Sequence, residues 1–238
     1  MDSNDLEEIL NRELEIERRE DQEDKRTKKV ERRSPLNYNK TKEEEEKKLK
    51  RIKMDKPLPT QKEITLSDKE PIFSKTDSKG KITYSNAYFQ KVSGYSESEL
   101  LGAPHSIVRH PDMPKAIFFF MWKKLKDGKS LRAIVKNMSK SGDHYWVITE
   151  FTIDKLNGNI IYTAKRTPAP RKLIEHFEPV YRQMVELEEL AVTQEKGMEK
   201  SLDYLTNILT KADKDYDTYI DDIVKEFSVT GFFKKLFS

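Results

Sequence analysis

Two stretches decide the fold: ITYSNAYFQKVSGYSESELLGAPHSIVRHPDMPKAIFFFMWKKLKDGK, residues 82–129, and IVKNMSKSGDHYWV, residues 134–147. In the first, ITYS is β-branched and aromatic, the composition of a strand. With PIFSKT at 71–76 and the turn DSKG at 77–80 before it, where Gly80 can take a positive φ, it reads as a hairpin. NAYFQKVSGY reads as a short helix closed by Gly94, and Ser96 with Glu99 has capping-box spacing that opens another helical turn. PHSIVRHPDMP holds three prolines in eleven residues, so it predicts irregular backbone with brief helical turns. A longer helix is predicted at about 114–126, ended by Asp127-Gly128. Three strands follow at about 129–138, 144–155 and 159–166, separated by Lys140-Ser141-Gly142-Asp143 and Asn157-Gly158. Two strands, several short helices and three strands predict an α+β fold, a five-stranded antiparallel sheet with short helices on one face.

Outward from this block the texture changes. The first 60 residues carry 17 basic and 17 acidic side chains and a single aromatic, Tyr38. Such a segment offers no core. We therefore divide the chain into a charged N-terminal arm at 1–63, a folded α+β domain at 64–168 and C-terminal α-helices at 169–238. The arm reads as a disordered or partly helical tail; alternatively Leu6, Ile9, Leu10, Leu14 and Ile16 form a partner-docking helix. In the C-terminal region Leu173, Phe177, Val180, Met184, Leu187 and Ala191 form one stripe, with a start or kink expected at Pro179. After Gly197 a second stripe runs Leu202, Leu205, Leu209, Ala212, Tyr216, Tyr219 and Ile223. Two stripes broken at a glycine predict a helical hairpin or a segmented coil. The last residues, VTGFFKKLFS, read as a hydrophobic latch or a partner peptide.

Composition excludes several classes. The net charge of +3 is small and the two signs are mixed along the chain, so no nucleic-acid partner is expected. There is no cysteine, hence no disulfide, thiolate metal site or cysteine nucleophile, which suits a cytoplasmic protein. MDSNDLEEIL lacks a signal-peptide pattern, and no apolar run approaches the roughly 20 residues of a membrane span. A soluble protein is expected.

Three signatures go further: N-x-x-F-x-x-V-S-G-Y at 86–95, P-H-x-x-V-R-H-P-D-M-P at 104–114 and V-K-N-x-x-K-x-G-D-H-Y-W at 135–146. Together they resemble the PAS domain of the bacterial aerotaxis and energy-taxis receptor family, over about 100 residues. The resemblance implies a PAS fold that binds FAD non-covalently and reports redox state to the chemotaxis machinery. It also implies cofactor contacts at Asn86, Arg109, His110, Asp112 and Trp122, to which we add Asn137. Those residue types suit a flavin. Phe118 to Trp122 form an aromatic wall, Arg109 a charged fork for phosphate, and the two asparagines amide edges for a heterocycle. Each also has a structural reading: an Arg109–Asp112 ion pair, a satisfied His110, a core Trp122, and a sheet or turn role for Asn137. Trp146 is expected to pack on the sheet.

Two departures from the family are visible. Where the family commonly shows W-S-G-I-V-K-N, this chain has Leu131-Arg132-Ala133-Ile134-Val135-Lys136-Asn137, losing one ring. The receptors also continue into transmembrane helices and a long coiled coil, for which this sequence shows no segment. The expectation is a stand-alone sensor, as in bipartite systems of this family, signalling to a membrane-bound chemoreceptor-like protein. Two alternatives stand beside it: a haem gas sensor ligated by His105 or His110, and a cofactor-free module that only forms homodimers. No enzyme is expected: no serine or cysteine nucleophile accompanies His110 and Asp112, and His105, His110 and Asp112 match no metal-binding spacing.

Overall fold

In the computed structural model residues 57–156 and 158–227 are described, apart from the side chain of Leu156. The readings of the arm through residue 56, including its docking helix, and of the FFKKLF tail lie outside the described residues. Strand β1 (Ile72–Thr76) and β2 (Ile82–Ser85) form the expected hairpin. Next come α1 (Ala87–Ser93), α2 (Glu97–Leu100), a 3-10 turn (His105–Val108) and α3 (Lys115–Lys126). Strands β3 (Leu131–Met138), β4 (His144–Leu156) and β5 (Asn159–Pro168) complete a sheet of order β2-β1-β5-β4-β3, and every strand pair in it is antiparallel.

Local chemistry accounts for the short elements. Asn86 caps α1, its Oδ1 accepting the Phe89 N–H at 3.0 Å, and Gly94 ends the helix at φ 72°. Glu99 returns to the Ser96 N–H at 2.9 Å, and the same carboxylate takes Lys140 at 2.6 Å. The Lys140 hydrogen bond, with the Ser96 N–H, lowers the Glu99 pKa to about 2 and ties α2 to the β3–β4 turn.

Alternation along the strands sets two faces. Cross-strand partners Ile72–Arg166, Ser74–Ala164, Thr149–Arg166, Ala133–Thr149 and Asn137–Tyr145 turn toward α1–α3. The residues between them, including Ile134, Lys136 and Trp146, turn the other way. That second face is covered at β3 and β4 by α4 (Arg171–Glu189) and α6 (Tyr216–Phe227). Helix α4 buries Leu173, Ile174, Phe177, Tyr181 and Met184; the Tyr181 hydroxyl donates to the Ile134 carbonyl at 2.8 Å and its ring stacks on Trp146. On α6, Asp221 accepts from Arg132 at 2.6 Å. With helices on both sides, β3 is buried almost throughout.

The helical region departs from the stripes in three places, one being that the second stripe is cut at 213–215, where its first helix ends at Ala212 before the left-handed Asp213 (φ 51°) and α6 begins at Tyr216. Helix α4 begins eight residues before Pro179 and runs through it, because Pro179 lies on the exposed side while Phe177 and Tyr181 anchor the other. The break between α4 and α5 (Gln194–Ala212) falls at 190–193, capped by Thr193; Gly197 lies inside α5. Gly197 permits contact: a Cβ there would meet the Glu188 carbonyl oxygen at 2.7 Å and its Cα at 2.9 Å. The pair is therefore a helical hairpin that touches backbone to backbone.

Both obstacles at Gly197 are backbone, so Gly197→Ala should force the hairpin apart. Overpacking of this kind costs about 1–3 kcal/mol. Urea denaturation of the full chain should show that loss, with far-ultraviolet dichroism of the folded state unchanged.

Candidate cofactor-binding site

The segment 104–114 is fastened at both ends. Its start lies against the first hairpin, with the His105 N–H donating to the Gly80 carbonyl at 3.0 Å. Its middle bridges β3 through Arg109 and Asn137, and its far end meets β3 through Met113 Sδ, which accepts the Lys136 N–H at 3.2 Å. Between these, four of the six residues proposed from sequence come together. The Arg109 guanidinium lies 4.2 Å from the centre of the Phe118 ring and donates to the Met113 carbonyl at 3.3 Å. Burial lowers its pKa, while the Glu188 charge opposes that shift. His110 is buried and its Nδ1 accepts the Asp112 N–H at 3.1 Å. Asp112 takes Lys136 at 2.6 Å rather than Arg109; burial would raise its pKa, but the Lys136 hydrogen bond and the nearby His110 leave it lowered. Asn137 is buried on the inward face.

The other two residues lie elsewhere. Trp122 packs edge-on against Tyr162 with centroids 5.5 Å apart, and its indole fills the space beside Gly80. Asn86 is occupied by the backbone: besides capping α1, its Oδ1 accepts from Phe73 N at 3.0 Å and its Nδ2 donates to the Pro71 carbonyl at 2.9 Å. Its amide braces β1 against α1.

Residues not named from sequence make the inward face polar. Arg166 is buried on β5 and directed at Ser74 (3.0 Å) and His105 Nε2 (2.7 Å); its guanidinium lies 5.7 Å from the Phe89 ring centre. The His105 ring stacks on Phe89 with centroids 6.1 Å apart. Burial, reinforced by the Arg166 charge, lowers the His105 pKa to about 3, so the ring is neutral and able to accept. Burial also lowers the Arg166 pKa to about 10, which leaves the cation charged at neutral pH. No ion pair among the described residues involves it. Nearby on the same face, Asn137 Nδ2, the Tyr145 hydroxyl and Thr149 Oγ1 are buried without a hydrogen-bond partner among the described residues. Buried polar atoms are rarely left so. An amide donor, two hydroxyls and an uncompensated guanidinium fit a heterocyclic ligand with acceptor atoms along an electron-rich edge.

With this geometry in hand, likeness to known proteins can be weighed. Residues 82–165 match the family described as PAS fold. Over 127 residues the chain is 45% identical to the aerotaxis receptor of Escherichia coli (strain K12), covering 53% of this chain and 25% of the receptor. This chain carries a PAS domain of the aerotaxis-receptor type. It spans about a quarter of the receptor it matches. Two solved light-oxygen-voltage domains show weaker likeness. One, from a flavin-analogue study of domain mechanism, is 18% identical at a TM-score of 0.42, with 46% of this chain and 84% of that one covered. The other, the dark structure of the blue-light photoreceptor Aureochrome1, is 17% identical at a TM-score of 0.42, with 48% and 86% covered. Among the described residues no helix is long and apolar enough to cross a membrane, and no three His, Cys, Asp or Glu side chains are placed to hold a metal ion.

His105 gives the PAS domain a pH signature. The unfolded chain titrates this histidine near 6.5 and the native site near 3, so between these values the unfolded state binds more protons. Stability is then full above pH 6.5 and falls as pH drops below it, by up to about 1.4 kcal/mol per pH unit from this residue. The lowered pKa values of His144 and His176, both set first by burial, act in the same direction. Urea midpoints between pH 7 and 5 should fall, and His105→Gln should flatten the slope.

Proposed function

We propose that this protein is a redox sensor whose PAS domain, residues 64–168, binds FAD non-covalently and passes its state to a chemotaxis-type signalling partner through residues 169–238. The observation that carries the reading is the inward face of the sheet, where Asn137 Nδ2, the Tyr145 hydroxyl and Thr149 Oγ1 are buried without a partner among the described residues, beside the buried Arg166 guanidinium. Bound there, a flavin would supply reversible uptake of electrons and protons. Asn137, Tyr145, Thr149 and Arg166 would hold the ring edge. Arg109 and Asp112 would hold the segment 104–114 in place. Haem is less suited, because His105 Nε2, a nitrogen that would ligate iron, already accepts from Arg166 at 2.7 Å.

The path outward runs through Glu188. Helix α3 starts after Pro114 without a side-chain cap of its own. Glu188 of α4 supplies the cap, its carboxylate accepting the N–H groups of Lys115 at 2.8 Å and Ala116 at 2.9 Å. Lys115 Nζ also reaches Gln194 on α5 at 3.2 Å. A shift of α3 beside its ligand therefore pulls on the α4–α5 connection, where Leu190 and Val192 are 84% and 94% exposed. Those two apolar side chains are the surface we assign to a membrane-bound, chemoreceptor-like partner, with this chain on the cytoplasmic side.

Absorbance of the purified full chain tests the cofactor. A two-banded yellow spectrum that releases FAD on denaturation is expected. A single intense Soret band, or a protein colourless after incubation with FAD, would overturn the reading.

The relay has its own test. Glu188→Ala should leave flavin content intact, lower stability by about 1–2 kcal/mol and abolish any reduction-dependent change in hydrogen exchange at residues 186–198. An unchanged exchange response would remove Glu188 from the path.

A further inference from the structure

A second groove lies outside the cofactor site, along the flank of α4 where Arg182, Glu186 and Glu189 are exposed. It forms a cavity of about 280 Å³ between α4, the outward face of β3 and β4, and Asp112 of the segment 104–114. That volume lies below the usual range of small-molecule sites and suits one or two side chains. Its floor is Trp146 and Tyr181, whose rings stack with centroids 6.3 Å apart. Lys136 lies 5.7 Å from the centre of the Trp146 ring, but its charge is taken by Asp112 at 2.6 Å. The α4 wall sets Glu178, Glu186 and Glu189 against the single cation Arg182. Glu186 and Glu189 make no ion pair among the described residues. The groove therefore has an aromatic floor and an excess of negative charge on its rim.

The chain holds a segment of the complementary kind. Residues 232–237, FFKKLF, set four large apolar side chains around Lys234 and Lys235. Such a segment gains from burial of its apolar side chains and from carboxylates facing its lysines. Helix α6 ends at Phe227, whose ring centre lies 6.1 Å from that of His176 in the first half of α4. From His176 to Glu189 the helix advances about 20 Å. Residues 228–235 span up to about 28 Å when extended, so the segment can reach the groove within its own chain. We propose that this groove binds a basic, amphipathic peptide segment and that residues 232–237 of the same chain are its occupant, with Phe232 or Phe233 against Trp146 and Tyr181 and the two lysines facing Glu186 and Glu189. The proposal does not depend on the cofactor. Seated there, the tail fastens α4 to the outward face of the sheet, and a basic segment of a signalling partner has to displace it.

Fluorescence anisotropy of a labelled peptide of residues 229–238, added to the full chain, tests this. Phe232→Ser combined with Phe233→Ser leaves every described residue in place and vacates the groove. A tethered tail acts at about millimolar effective concentration, so the free peptide should bind this variant about tenfold more tightly than it binds the wild type. Adding Glu186→Lys and Glu189→Lys to the variant should remove the binding, and about 0.5 M salt should weaken it. Equal binding to wild type and variant, or binding that survives the two new lysines, would overturn the proposal. A wild-type mass that doubles with concentration by light scattering, and does not in the Phe232→Ser, Phe233→Ser variant, would place the tail on a second copy and overturn docking within one chain. If the peptide binds neither protein while the wild type alone sediments with phosphatidylglycerol vesicles, the segment is a lipid anchor and the proposal fails.

Discussion

An antiparallel strand turns alternate side chains to opposite faces, and β3 and β4 use both. Tyr145 and Asn137 turn inward with unspent polar atoms, while Trp146 and Lys136, one residue along, turn outward against α4 and Asp112. A register slip of one residue would exchange these sets, exposing the polar atoms to α4 and burying Trp146 under α3. The inward polar face and the helix-docking face are therefore one decision. Displacement of these strands moves the footing of α4, where Tyr181 is hydrogen-bonded to the β3 backbone.

The Glu188 cap gives that coupling a second route. Its two acceptor contacts join residues more than seventy apart in the chain, and they fall on the first turn of α3. A carboxylate at a helix N-terminus gains from two directed N–H groups and from the helix dipole together. Gly197 is its counterpart, since α5 can approach the Glu188 backbone only where no Cβ intervenes. The cap, the glycine and the exposed connection at 190–193 form one mechanical unit.

Much of this was legible in the chain because it is local. The hairpin turn, the Gly94 stop, the capping box at Ser96 and Glu99 and the three closing strands are all short-range patterns, and each element lies within a few residues of its expected place. The gathering of Arg109, His110, Asp112 and Asn137 followed from a proline-fixed loop beside a strand. What could not be read depends on long-range parity. Arg166 stands in YTAKRTP, where a pair of basic residues reads as solvated. Only the inward burial of Tyr162 and Ala164 shows that Arg166 shares their face and Lys165 does not. Glu188 lay in a run of glutamates with no local sign of a distant helix. Pro179 and Gly197 misled for the opposite reason: both are local breakers whose cost here is absorbed, one by exposure and the other by contact.

The lost tryptophan can now be placed. Leu131 stands where the family resemblance shows the ring; it is buried on the inward face opposite Phe151, in line with Ala133, Val135 and Asn137. The substitution keeps the apolar burial of that position and gives up the electron-rich ring. An aromatic face beside a ligand disperses added charge weakly and without direction, whereas a guanidinium opposes it directly and with fixed geometry. With leucine at 131, the polar groups of this face include Arg166, Thr149, Tyr145 and Asn137, and Arg166 stands on β5, which pairs with both β1 and β4.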